Sequence, residues 1–310
     1  TGDADLAARA GAEVVKGRER DGKMRPMTIL FRMGGVDIER LVEYARAHPD
    51  QFAADPSFQI LDVEGGVVRL SGFFDLVAAA RARGELDKDC HYVRFEGVNV
   101  KRGTIFVNST RVYGVDGTNA WDLTRAEVEA RQQMKQLAAF IQREIPGCDK
   151  AYVIDASSSI GVRETRRIRG PFVLTEEDIL AHRTYEDTVA KIWRFHAAGR
   201  DWHSPDGGEG SPSNLVYRTA VTPLNWFEIP YRCLLPNGVQ GLLVGGRTVS
   251  QTHQADMWTR GMYCCMLTGQ VAGTAAALAT QSKVEPGSLG IRMLQDALMA
   301  QGADLGSRAR

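Results

Sequence analysis

The chain has 310 residues, of which 44% are hydrophobic and 25% charged, with 38 Lys plus Arg balanced by 38 Asp plus Glu. This composition suits a globular protein with room for two domains, and the zero formal net charge argues against nucleic acid or an anionic membrane as the main partner. The five cysteines (Cys90, Cys148, Cys233, Cys264, Cys265) are odd in number and lack metal-ligand spacing, which argues against a disulfide framework or a metal site. Reduced thiols, and with them a cytoplasmic location, are expected.

The opening TGDADLAARAGAEVV has no apolar run of the signal-peptide kind and reads as a loop entering a helix, with Asp3 or Asp5 as N-cap. Residues 27–33 (MTILFRM) read as a strand, and 37–46 as a short helix that stops before Pro49. Residues 67–72, 92–100 and 104–112 are strand-like, the last two joined by Lys101-Arg102-Gly103 as a hairpin. Thr124 and Glu127 form a capping-box pattern, and Ala130, Met134, Leu137, Ala138, Ile141 and Ile145 keep helical spacing up to Pro146-Gly147. Residues 151–156 read as a further strand, and Thr175 with Asp178 caps a short helix over 176–182. Residues 202–223 are rich in Gly, Ser and Pro and read as loop, and no internal repeat is present.

Residues 242–279 carry the strongest signal: a short buried strand, a Gly245-Gly246 turn and a long helix. A strand feeding a helix through glycines presents backbone N–H groups to a cofactor. Gly261, Cys265, Gly269, Gly273 and Ala277 recur every fourth residue, so one helix face is nearly bare backbone. Each helical glycine costs roughly 0.8–1 kcal/mol relative to alanine, which close packing or a ligand must offset. Residues 261–282 carry no charge and are long enough to span a bilayer. Their Thr, Gln, Gly and Ala content favours the buried centre of a soluble domain instead.

The segments TGDADLAARAG, FVNSTRVYGVDGTNAWDLTRAEVEAR, PGCDKAYVIDASSSIGVRETRRIRGPFVLTEEDIL, IPYRCLLP and the 242–279 stretch together cover most of the chain. In that order they resemble the C-terminal two-thirds of the FAD-dependent oxidoreductases of the glutathione-reductase-like superfamily. The resemblance implies an α/β fold: a discontinuous, Rossmann-like FAD/NAD(P)-binding domain in two pieces, 1–26 and 227–310, with a mixed-sheet α+β substrate domain inserted at 27–226. It implies FAD as cofactor and hydride transfer between a small organic substrate and the flavin N5. Thr1, Gly2 and Asp3 would end a motif passing close to the dinucleotide. Gly245, Gly246 and Arg247 would lie near the ribityl chain and pyrophosphate, with Ser250, His253, Arg260, Gly261 and Met262 completing the cofactor contacts. The start of the following helix would aim its positive end at the flavin, where reduction leaves negative charge.

No GxGxxG occurs before residue 230, so the adenosine and pyrophosphate half of such a site is not encoded there. The expectation is a partner polypeptide, separate or cleaved, that carries this motif, within an oligomer. Arg163 and Arg166 of GVRETRR are candidate substrate anchors, because guanidinium forks suit carboxylates, although clustered Arg and Glu also serve structure. His253 is the candidate base and Arg163 the other candidate catalytic residue; His203, Tyr231 and Arg232 are further substrate-pocket candidates. Two other readings stay open. One is a non-catalytic subunit completing a partner's flavoprotein fold, and the other is a hydrolase using Thr1 and its own α-amine as nucleophile and base.

Overall fold

A computed structural model describes residues 2–52, 59–193 and 226–306. They cluster into a first unit built from 2–24, 164–193 and 226–306 and a second built from 25–52 and 59–163. The chain therefore returns to the first unit at residue 164, well ahead of the boundary expected near 227. The reason is a strand seam: β1 (Val14–Lys16) pairs antiparallel with β8 (Arg166–Ile168), placing Val14 opposite Ile168 and Lys16 opposite Arg166. Ahead of β1 lies α1 (Asp5–Arg9), whose N-cap is Ala4 in a left-handed conformation, φ 54°. Neither Asp3 nor Asp5 is the cap; Asp5 is the first helical residue, where a carboxylate suits the positive helix end.

The second unit contains β2 (Phe31–Gly34), α2 (Ile38–Ala47), β3 (Ile60–Asp62), β4 (Val67–Gly72), α3 (Phe74–Ala82), β5 (Val93–Asn99), β6 (Thr104–Val107), α4 (Ala120–Glu144) and β7 (Tyr152–Ala156). Its six-stranded sheet has the order β3-β4-β5-β6-β2-β7, and every pair is antiparallel. The mixed sheet expected from sequence is thus replaced by an antiparallel one: short turns join β3 to β4 and β5 to β6, the latter ending at Gly103 (φ 57°), while the remaining pairs are antiparallel across longer connections. Phe31, Met33, Leu70, Phe73, Phe95 and Val107 form the core with Leu137, Phe140 and Ile141 of α4. That helix begins five residues ahead of the expected Thr124: the Asn119 side chain accepts from both Trp121 N and Asp122 N. Thr124 instead bonds back to the Ala120 carbonyl within the helix.

The first unit continues through α5 (Glu176–Leu180), β9 (Thr188–Trp193), β10 (Trp226–Pro230), α6 (His253–Thr259), α7 (Met262–Ser282) and α8 (Ile291–Ala300). Thr175 and Asp178 form the expected capping box of α5, which is two residues shorter than the sequence suggests. β9 and β10 form an antiparallel pair. Among the described residues this unit has no parallel sheet, only an isolated parallel bridge between Leu174 and Gln251.

The strand expected at 242–244 is extended chain held to Leu234 O by Val244 N (2.9 Å). The long helix, expected to begin near 258–262, starts at Met262, and a separate short helix, His253–Thr259, precedes it. α7 also departs from the buried centre expected of it. It has the length and hydropathy of a membrane span, yet only 28% of its most apolar window is buried. Cys264, Thr268, Val271, Ala275 and Ala279 face the unit's core. Met262, Tyr263 and Met266 are 83%, 50% and 74% exposed, and a Cβ built on Gly269 or Gly273 meets nothing within 4 Å.

Candidate functional site

The first unit brings the ends of its three segments together around residues 245–253. Gly245 is extended and lies directly on α7: a Cβ there would come 3.0 Å from Thr268 O and 3.3 Å from Gly269 Cα. Gly246 adopts φ 85°, which favours glycine, and starts a 3-10 turn over Gly246–Thr248. Its N–H donates to Thr268 Oγ1 (2.9 Å), and that hydroxyl donates to Cys264 O (2.8 Å). The turn is therefore fastened to the helix by backbone contact and by one threonine.

Arg247 projects from this turn with its guanidinium 3.6 Å from the Cβ position of Gly2. Burial weakens its hold on the proton, while the charges of Asp256, Asp3 and Glu164 act in the opposite direction. A half-buried cation of this kind acts on a neighbouring anion with reduced solvent screening. The Gly2-Asp3 segment is tied down by Arg166, whose Nη1 donates to Asp3 O (3.4 Å) and lies 3.5 Å from Asp5 Oδ1. Arg166 thus braces the expected cofactor loop, and these contacts occupy the guanidinium expected to anchor substrate.

Behind the turn lies a buried charge cluster that the sequence did not reveal. The Arg167 side chain is 1% exposed, with Nε donating to Gln251 O (3.0 Å) and Nη2 to Gly17 O (2.6 Å) and Glu19 Oε1 (3.1 Å). Its Nη1 pairs with Glu164 Oε1. The same carboxylate oxygen accepts from His253 Nδ1 (2.9 Å), and Glu19 Oε1 accepts from the His253 backbone N–H (2.9 Å). Since a carboxylate is acceptor-only, the proton between His253 and Glu164 is assigned to Nδ1. Gln251 carries the cluster forward: its Nε2 donates to Arg247 O (2.9 Å), and its Oε1 accepts from Thr259 Oγ1.

The other expected site residues have varied placements. Ser250 is fully buried, its Oγ accepting from Gly170 N (3.0 Å), so it supports the turn from behind. Arg260 Nη2 lies 3.6 Å from Met257 Sδ, Gly261 is the N-cap of α7, and Met262 is exposed. Tyr231 is buried and donates to Pro286 O (2.9 Å), and burial pushes its phenol up to about 12. Arg232 is a fork on Asp187 (2.9 and 3.1 Å), an ion pair that raises the guanidinium further. Both side chains are committed to contacts inside the first unit. Arg163 is half-buried in the second unit, where its Nη1 donates to Pro26 O. Thr1 and His203 lie outside the described residues.

His253 was expected to face a substrate as base, yet it is 1% exposed, enclosed with Glu164 and Arg167, while the exposed Glu19 accepts from its backbone N–H. Glu19, Gln251 and Asp256 went unnoticed in the sequence because isolated polar residues carry no periodicity. Only Glu164 and Arg167, inside the dense GVRETRR run, gave a signal.

The residues present are of a kind that can hold an anionic cofactor such as FAD. A glycine turn lies on a helix, a half-buried arginine stands beside it, and the helix face leading away is open at Gly269 and Gly273. No curated protein and no solved structure matches the chain. The family described as FAD dependent oxidoreductase matches residues 1–298, almost the whole length. The chain belongs to the FAD dependent oxidoreductase family, whose members use FAD as cofactor.

Proposed function

We propose that the first unit supplies the flavin-side half of an FAD site and that the protein transfers hydride to or from a small organic substrate. The observation that carries this reading is the Gly245-Gly246-Arg247 turn seated on α7, with Arg247 half-buried beside Gly2 and Asp3. Bound FAD supplies the hydride acceptor or donor at its N5. Arg247 offers positive charge to the anionic parts of the cofactor, and the Gly2-Asp3 backbone, braced by Arg166, lines the approach. The open face of α7, at Gly269, Gly273 and Met266, receives the segment that carries the glycine-rich dinucleotide turn missing before residue 230.

The test is FAD retention by the assembled protein. Visible flavin absorbance should survive desalting and bleach anaerobically with dithionite and with substrate. Replacing Arg247 with Met should weaken FAD binding by about 10–100-fold, as expected for loss of a charged hydrogen bond. A protein that binds no flavin in any assembly would defeat the proposal. One that binds flavin but is bleached by dithionite alone, whatever the substrate, would favour the non-catalytic subunit.

A further inference from the structure

His253, Glu164, Arg167 and Glu19 come from three separated stretches of chain, and the Glu19–His253 contact spans 234 residues of sequence. Their hydrogen bonds run in one direction. Arg167 gathers Gly17 O and Glu19 on one side and Gln251 O on the other, while Gln251 holds the Arg247 carbonyl. The imidazole closes this circuit, donating from Nδ1 to Glu164 while its own backbone N–H goes to Glu19. A base must reach the proton it removes, whereas this ring is 1% exposed and its Nδ1 is held by Glu164, which also pairs with Arg167. Buried carboxylates and guanidinium groups are costly unless mutually paired, so the cluster holds its geometry only when every member is present.

We propose that His253 is a positioning residue: its Nδ1–H, held by the Glu164 carboxylate that Arg167 also pairs, fixes the 245–253 turn, and with it Arg247, in the conformation that receives the cofactor. This inference rests on reading that turn as the flavin side of the site. The imidazole acts through Arg247 and does not take the substrate's proton.

Two measurements on the purified full chain with its native partners test it. Diethyl pyrocarbonate with peptide mass mapping reads imidazole accessibility without flavin or substrate: His253 should resist modification in the wild type and become reactive in Glu164→Gln. Affinity for FAD, read by quenching of its fluorescence, should fall about tenfold or more in His253→Ala, the scale of one lost hydrogen bond to a charged group. His253→Gln, whose amide can still donate to Glu164, should restore it to within about threefold, with circular dichroism unchanged in both. Modification of wild-type His253 at the rate of exposed histidines overturns the proposal, as does wild-type FAD affinity in His253→Ala. If the wild type binds no FAD, the functional reading fails. The positioning role is then decided by chemical protection and by whether His253→Gln restores a thermal midpoint that His253→Ala lowers.

Discussion

The two long helices, α4 and α7, make opposite use of similar lengths. α4 is amphipathic: Ala126, Ala130, Leu137, Phe140 and Ile141 are buried, and Arg, Glu and Gln side chains occupy much of the remainder. α7 has no charged residue, buries five residues toward its own unit and leaves methionine, tyrosine and glycine outward. A helix whose chemistry is finished by its own unit shows its polar face to water. One whose outward face is apolar and small has been shaped for something else to lie against it.

The largest expected contrast is in core truncation. Leu137→Ala in α4 should cost about 2–5 kcal/mol in urea unfolding, whereas Met266→Ala on the outward face of α7 should cost under about 0.5 kcal/mol. Equal losses at the two positions would erase the distinction. Gly273→Leu sharpens it: the chain's own unfolding should change by less than about 1 kcal/mol, since the site is open, while FAD retention falls about tenfold as the bulk blocks the docking segment. Unchanged retention would remove α7 from the cofactor site. Smaller still, Asn119→Ala should cost about 1 kcal/mol by removing the α4 cap. Gly269→Ala should gain about 0.5–1 kcal/mol in the chain alone, the reverse sign.

Thiol chemistry gives the gentlest probe. Burial pushes Cys90 up to about 11 and Cys148 to about 12, and it raises Cys264 as well. Cys265, half-buried on α7, is raised too, but solvent reaches it. A disulfide reagent at mildly alkaline pH should therefore label Cys265 first and the buried thiols only on unfolding. Because the folded values of the buried thiols lie above the ordinary value near 8.5, their contribution to stability is complete below that pH and is lost as pH rises toward 11–12. A flat alkaline stability profile would contradict this.

Much of the second unit was legible because its signals are local. β4 occupies the expected residues 67–72 and α4 stops ahead of Pro146-Gly147; in the first unit, Thr175 with Asp178 caps α5 as expected. Where the reading slipped, a neighbouring residue competed better: Asn119 offered one oxygen to two N–H groups and started α4 ahead of Thr124. The candidate site was legible only in part. The Gly245-Gly246-Arg247 turn announces itself by composition, and GVRETRR by charge density. The route from Glu19 to His253 depends on chain closure over more than two hundred residues, which no local pattern encodes. Tyr231 and Arg232 drew notice as polar residues, but Pro286 and Asp187 use their donors.

The interrupted path of the first unit also constrains the order in which the protein assembles on the ribosome. All strands of the six-stranded sheet lie between residues 31 and 156, so that sheet can complete itself while the rest of the chain is still being made. The β1–β8 seam can form next. Arg167 and Glu164 must then wait, with their charges still hydrated, until Gln251 and His253 emerge and let the cluster close. Closure of this cluster is thus a late event in synthesis, and slow translation after residue 168 would prolong the interval in which these charges stand open to water.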